Sequence, residues 1–189
     1  MKKVILFDFF GVISSEVAPV WFAKHFSKKQ AIAIKNKISG KADIGAITID
    51  EMFEEISLVS GKDTAIIKQE WFDLAVINTE LVDFIKSINC KYKVYLLSNA
   101  ISDFIFPVLK KNNLEILFEK IYISSEIRRV KPTREFFDYC LKDANLNPSE
   151  AIFIDDNIDN VKGAQEAGID GVLFENNIKF YEDFTRFFG

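Results

Sequence analysis

The sequence holds only two cysteines, Cys90 and Cys140, far apart and without the spacing of metal ligands. They support no thiol-based metal site and read as two reduced thiols of a cytoplasmic protein. Positive charge is also short. The chain has 24 Lys and Arg against 28 Asp and Glu, a net charge of −4. A binder of nucleic-acid backbone needs a basic face, so no nucleic-acid partner is expected. No apolar run approaches the roughly 18 residues of a membrane span, and no membrane association is expected. Lys2 and Lys3 precede an apolar run in the manner of a signal peptide, but Asp8 interrupts that run and no small-residue cleavage pattern comes after it. Repeats, low-complexity segments and long linkers are absent too. The single histidine, His25, lies on an apolar helical face and reads as a packing residue.

What is present is ample core material. Hydrophobic residues make up 49% of the chain, and phenylalanine alone occurs 19 times. At 189 residues this suits one α/β domain carrying an insertion. KVILFD, residues 3–8, reads as a buried parallel strand running into a loop at Gly11. Residues 18–38 are patterned as a helix, and Gly40 and Gly45 punctuate the segment after it. Thr48 and Glu51 form a capping-box signature for a second helix, and a third runs from Gly61 through Trp71. After Asn78, strand and helix alternate. Strands are expected at residues 92–99, 119–127, 150–156 and 170–174. Helices are expected between them, with Pro107 irregular in one, Pro132 in the first turn of another and Gly168 at a helix end. The alternation predicts a doubly wound, Rossmann-like parallel sheet with helices on both faces. Residues 1–14 and 79–189 form the expected core domain, and residues 15–78 a small helical cap with hinges near Ser14 and Asn78.

Chemistry gathers at the strand ends. Asp8 ends the first strand, Ser98 and Asn99 the second, and Asp155 and Asp156 the fourth, while Lys131 comes after the third. In such a sheet the carboxyl ends of the strands face the ligand crevice. Taken singly these residues are ordinary: Asp155–Asp156 suits a helix N-terminus, Ser98–Asn99 a turn, Lys131 the surface. Together they suit a phosphoryl site. Asp8, Asp155 and Asp156 supply hard oxygen ligands for Mg²⁺. Asp8 is placed to attack phosphorus. Ser98 and Lys131 are placed to hold phosphoryl oxygens, Lys131 also easing repulsion between Asp8 and the anion.

LFDFFGVI, LLSNA, RRVKPTREFF and FIDDNIDNVKGAQEAG resemble, in order, the four motifs of the haloacid dehalogenase-like hydrolases. The insertion after the first motif resembles the subgroup with a small helical cap. The resemblance implies a Mg²⁺-dependent phosphohydrolase acting on a small phosphorylated metabolite, such as a sugar phosphate, through an aspartyl-phosphate. It implies Asp8 as nucleophile, Ser98 and Asn99 as phosphate contacts, and Lys131 as the phosphate-binding lysine. It also implies Asp156 as the foremost metal ligand of the acidic pair, the Phe10 carbonyl as another, and Asp159 as a residue that positions the metal's surroundings or Lys131.

One position departs from the pattern. Phosphatases of this superfamily usually carry D-x-D, whose second Asp moves protons, and here the run is Asp8-Phe9-Phe10. Three readings remain open at this point: a slowed phosphatase, a hydrolytic dehalogenase, or a weakly active binding protein. Glu16 and His25 are the first candidates for a replacement proton donor, although Glu16 reads more simply as a solvated loop residue. Trp21 and Trp71 read as core. Substrate identity and oligomeric state are not legible.

Overall fold

The computed structural model describes residues 2–188. Five parallel strands form one sheet in the order β3-β2-β1-β4-β5. They are β1 (Val4–Phe7), β2 (Lys93–Ser98), β3 (Lys120–Ile123), β4 (Ala151–Asp155) and β5 (Asp170–Leu173). β1 pairs with β2 on one side and β4 on the other, which brings the carboxyl ends of all three to the same edge. Both faces are covered, as a parallel sheet requires. Ile5, Phe7, Leu96 and Ile154 join one apolar cluster; Val4, Leu6, Leu97 and Phe153 join the other. Alternation along each strand thus feeds two cores.

Helices α1 (Ala18–His25), α2 (Lys28–Asp43), α3 (Ile49–Ser60) and α4 (Thr64–Leu74) intervene between β1 and α5 (Thr79–Ile88). The linkers into and out of this four-helix insertion are tied together. Ser14 bridges Ile77, Ser15 N–H donates to Val76 O, and Asn78 N–H donates to Ile13 O. The remaining helices are α6 (Ser102–Lys111), α7 (Ser124–Ile127), α8 (Arg134–Ala144), α9 (Ile158–Glu166) and α10 (Asn177–Phe188). The aromatic tail is spent on the core, where Phe180 packs edge-on against Phe7 and Phe84.

Four local expectations change. The helix read as starting at residue 18 breaks at Ser27, whose capping box with Gln30 starts a new helix. Gly40 does not end that helix, because a glycine costs a helix interior only about 1 kcal/mol. The strand expected over 119–127 stops at Ile123. Ser124 Oγ accepts from Ala100 N–H at 3.0 Å and turns the chain into α7. Pro132 precedes its helix, whose N-cap position Thr133 occupies. Cys90 is exposed, Cys140 is buried, and both are free thiols. Among the described residues, no helix is long and apolar enough to cross a membrane.

Candidate active site

At the carboxyl edge of the sheet lies a cavity of about 180 Å³. The core lines it with Asp8, Phe10, Asn99, Lys131, Asp156 and Asn160. The insertion lines it with Glu16, Lys35, Ser39, Asp43, Met52 and Trp71.

Lys131 is the centre of the arrangement. Its side chain is wholly buried, with Nζ 2.8 Å from Asp8 Oδ1, 2.7 Å from Asp155 Oδ2 and 3.0 Å from Leu97 O. Burial opposes its charge, but Asp8 and Asp155 outweigh burial and hold its pKa above the usual lysine value. Burial raises Asp8 well above the carboxylate range, against the pull of Lys131, while Asp155 pushes it further up. Asp8 is fixed by its position. Its N–H donates to Ile154 O at 2.9 Å, and its Oδ1 accepts from Phe9 N–H at 2.6 Å.

Asp155 is committed elsewhere on both oxygens. Besides Lys131, they accept from Asn157 N–H at 2.8 Å and from Asn160 Nδ2 at 3.1 and 3.0 Å. Asp156 is half-buried and open to the cavity. Burial raises its pKa, and Asp155 raises it further. Its carboxylate lies against the loop after β1. A Cβ on Gly11, whose φ is +82°, would stand 2.2 Å from Asp156 Oδ2, so a larger residue there would displace the carboxylate. Asp8, Asp155 and Asp156 each present an oxygen within 4.8 Å of the others. The single Lys131 ammonium offsets only part of the charge of three carboxylates, and hard oxygens suit Mg²⁺.

Ser98 Oγ is fully buried and has no hydrogen-bond partner in the protein, as suits a group reserved for a ligand oxygen. Asn99 lines the cavity and also holds the lysine loop. Its Oδ1 accepts from Lys131 N–H and its Nδ2 donates to Lys131 O, both at 2.9 Å, so its amide braces the lysine loop. Asp159 is exposed on the first turn of α9, and it is Asn160, one residue on, that is buried and donates to Asp155, the partner of Lys131. Phe10 belongs to an aromatic wall, edge-on to Phe9 at 4.9 Å and stacked on Phe104 at 6.0 Å.

In the insertion the structure agrees with the sequence reading at His25 and Trp21 and departs from it at Glu16. His25 packs on Trp21, 4.4 Å between ring centres, lies 3.4 Å from Glu70, and does not line the cavity. Trp21 is wholly buried and donates to Glu70 Oε2 at 2.7 Å, whereas Trp71 is both core and cavity wall. Glu16, read as solvated, faces the site, where burial and then Asp156 raise its pKa. Lys35, Ser39 and Asp43 were not anticipated at all.

Comparisons with known proteins identify the family. The sequence profile described as haloacid dehalogenase-like hydrolase matches residues 5–174. A D-ribitol-5-phosphate phosphatase of Bacteroides thetaiotaomicron is 26% identical, with 98% of each chain aligned. A drimenol cyclase of Aspergillus calidoustus is 29% identical; all of this chain aligns, spanning 37% of that longer protein. A haloacid dehalogenase family enzyme of Bacteroides thetaiotaomicron, crystallised with magnesium and inorganic phosphate, superposes with a TM-score of 0.80 at 30% identity, covering 96% of this chain and all of that one. Strand order, buried lysine, acidic cluster and sequence profile together place this chain among the haloacid dehalogenase-like hydrolases.

Proposed function

We propose that the chain is a Mg²⁺-dependent phosphohydrolase for a small phosphorylated polyol or sugar, acting through an aspartyl-phosphate on Asp8. The observation that carries this reading is the contact of buried Lys131 with Asp8 at the wall of a cavity that Asp156 also lines. A lysine so placed screens a carboxylate nucleophile from an incoming dianion. The polar residues Lys35, Ser39 and Asp43, which share the cavity wall, suit the hydroxyl groups of a polyol. A phosphatase for a phosphorylated polyol among the similar proteins supports the same class.

Asp8, Asp156 and the Phe10 carbonyl would hold the metal. Asp155, its oxygens occupied, anchors Lys131 instead of serving as a primary ligand. Mg²⁺ held there would supply positive charge that neutralises the phosphoryl group and favours the ionised form of Asp8. Asp8 Oδ then attacks phosphorus, and Ser98 Oγ and Lys131 Nζ hold the phosphoryl oxygens. Residues 15–78 act as a cap that completes the cavity and excludes water, swinging on the paired linkers at Ser14 and Asn78.

Phosphate release from a panel of sugar and polyol phosphates, with Mg²⁺ and with chelator, tests the reading. Release that requires Mg²⁺ and vanishes in folded Asp8→Asn supports it. Equal release by Asp8→Asn sinks it.

A further inference from the structure

A polyol phosphate leaves behind an alkoxide, a strongly basic group that departs slowly unless it is protonated as the P–O bond breaks. Phe10 offers no proton, and His25 is outside the cavity. Asp8 is the nucleophile of the proposed reaction and Asp156 belongs to the acidic cluster. Two further carboxyl groups line the cavity, Glu16 and Asp43. Glu16 feels Asp156 most strongly among its charged neighbours, which puts it toward the acidic cluster. The charged groups that act on Asp43 are Lys35 from its own helix, Lys131 from the core, and Glu16 from the linker before α1.

The seam between insertion and core fixes where Asp43 stands. It is the last residue of α2. Two residues on, Gly45 has φ +65°, and a Cβ there would lie 2.4 Å from Ser125 O. The turn after Asp43 is therefore seated directly on α7. Ser125 in turn holds the loop after Ser98 and Asn99: its N–H donates to Ala100 O at 3.3 Å and its Oγ accepts from Ser102 N–H at 3.0 Å. The close approach at Gly45 thus sets the turn after α2 against α7, which holds the loop after β2, while Asp43 lines the same cavity as Asp8 and Lys131.

Resting on the phosphohydrolase reading above, we propose that the Asp43 carboxyl is the proton donor and acceptor of the reaction. In the first step the Asp8 Oδ–P bond forms and the P–O bond to the polyol breaks, while Asp43 gives its proton to the departing oxygen. In the second, water attacks phosphorus and the P–Oδ bond breaks. The Asp43 carboxylate takes the water proton and is restored to its starting form. Burial pushes this carboxyl up to about 6, against the pull of Lys35 and Lys131, so both forms are present near neutrality.

The test compares wild type, Asp43→Asn and Asp43→Glu on D-ribitol 5-phosphate and on p-nitrophenyl phosphate, whose leaving group needs little protonation. Asp43→Asn is expected to lower kcat on the alkyl phosphate about 10²-fold or more, within the usual range for acid–base catalysis. Its loss on the aryl phosphate should be at least about tenfold smaller, and the wild-type inflection near pH 6 should vanish. Asp43→Glu should recover part of the alkyl activity. Equal losses on both substrates, or none, overturn the proposal. Wild type alone also tests it: a rate falling steeply with leaving-group basicity across alkyl and aryl phosphates means no proton is donated, which overturns the proposal without any variant. If wild type hydrolyses neither compound in Mg²⁺, the phosphohydrolase reading falls and this proposal with it. If wild type is active and Asp43→Asn matches it, only the role of Asp43 falls.

Discussion

Lys131 Nζ stands 2.7 Å from Asp155 Oδ2, and both side chains are completely shielded from solvent. The pair is the foundation of the site, because Asp155 fixes the ammonium that touches Asp8. Breaking a buried pair by removing one partner costs about 3–5 kcal/mol, since the other charge is left stranded. Lys131→Met should destabilise the fold by that order and abolish hydrolysis. Adding Asp155→Asn should return part of the stability but none of the activity. Denaturant unfolding of the two single variants and the double variant measures the coupling. Strict additivity would mean that the contact contributes nothing.

Asp43 carries a signature in stability as well as in rate. Its carboxyl titrates near 3.8 when unfolded and about 6 when folded. The folded chain therefore binds this proton more tightly, and that stabilisation is complete below about pH 4 and lost as pH rises through 6. Above that, folding carries a cost of at most about 3 kcal/mol. Asp43→Asn should melt higher than wild type at pH 7.5 and alike at pH 4. A variant that loses activity while gaining stability fits a functional carboxylate. An identical melting difference at both pH values would remove the raised pKa.

The strand ends were legible in the sequence because apolar runs stop abruptly at Asp8, Ser98 and Asp155, and a parallel sheet turns such stops into one edge. The α2 contribution was not. Lys35, Ser39, Ala42 and Asp43 fall on one helical face, but they form no apolar stripe and Gly40 interrupts them as a loop residue would. A Cβ at Gly40 would meet nothing within 4 Å, so no close approach forces glycine there. Asn160 was missed in favour of Asp159 for a simpler reason. One residue along a helix turns a side chain by about 100°, so the choice needs the start of α9, which Asn157 sets by capping it.

Gly45 tests the seam between insertion and core. A methyl there meets backbone, Ser125 O at 2.4 Å, which cannot rotate away, and φ +65° is itself unfavourable for alanine. Gly45→Ala should cost about 1–3 kcal/mol if the local backbone holds, or lift the end of α2 from α7 if it yields. In the second case Asp43 and Lys35 retreat, and kcat on alkyl phosphates should fall by an order of magnitude or more. Hydrogen exchange should show faster exchange confined to α2 and α7. Unchanged exchange and unchanged kcat would mean that the seam does not position the cavity face of α2.

Phe10 gives the sharpest test of how protons move. Its ring stacks on Phe104, which also touches Phe72 at 4.8 Å and Trp71 at 5.8 Å, so position 10 is part of an apolar wall. Phe10→Asp forfeits aromatic contacts worth about 0.5–1.5 kcal/mol each beyond buried area, and it places a carboxyl against that wall. Lower stability is therefore certain to accompany any gain. If Asp43 already moves the proton, a second acid is redundant, and Phe10→Asp alone should not raise turnover of D-ribitol 5-phosphate. In an Asp43→Asn background the same change should restore part of the lost rate, because a carboxyl two residues beyond the nucleophile can reach the leaving oxygen. The background then decides the sign of the effect, which simple damage at position 10 cannot reproduce. Should Phe10→Asp accelerate wild type about 10²-fold or more, the size expected when a missing acid is supplied, the natural enzyme lacks a proton donor and Asp43 is not one.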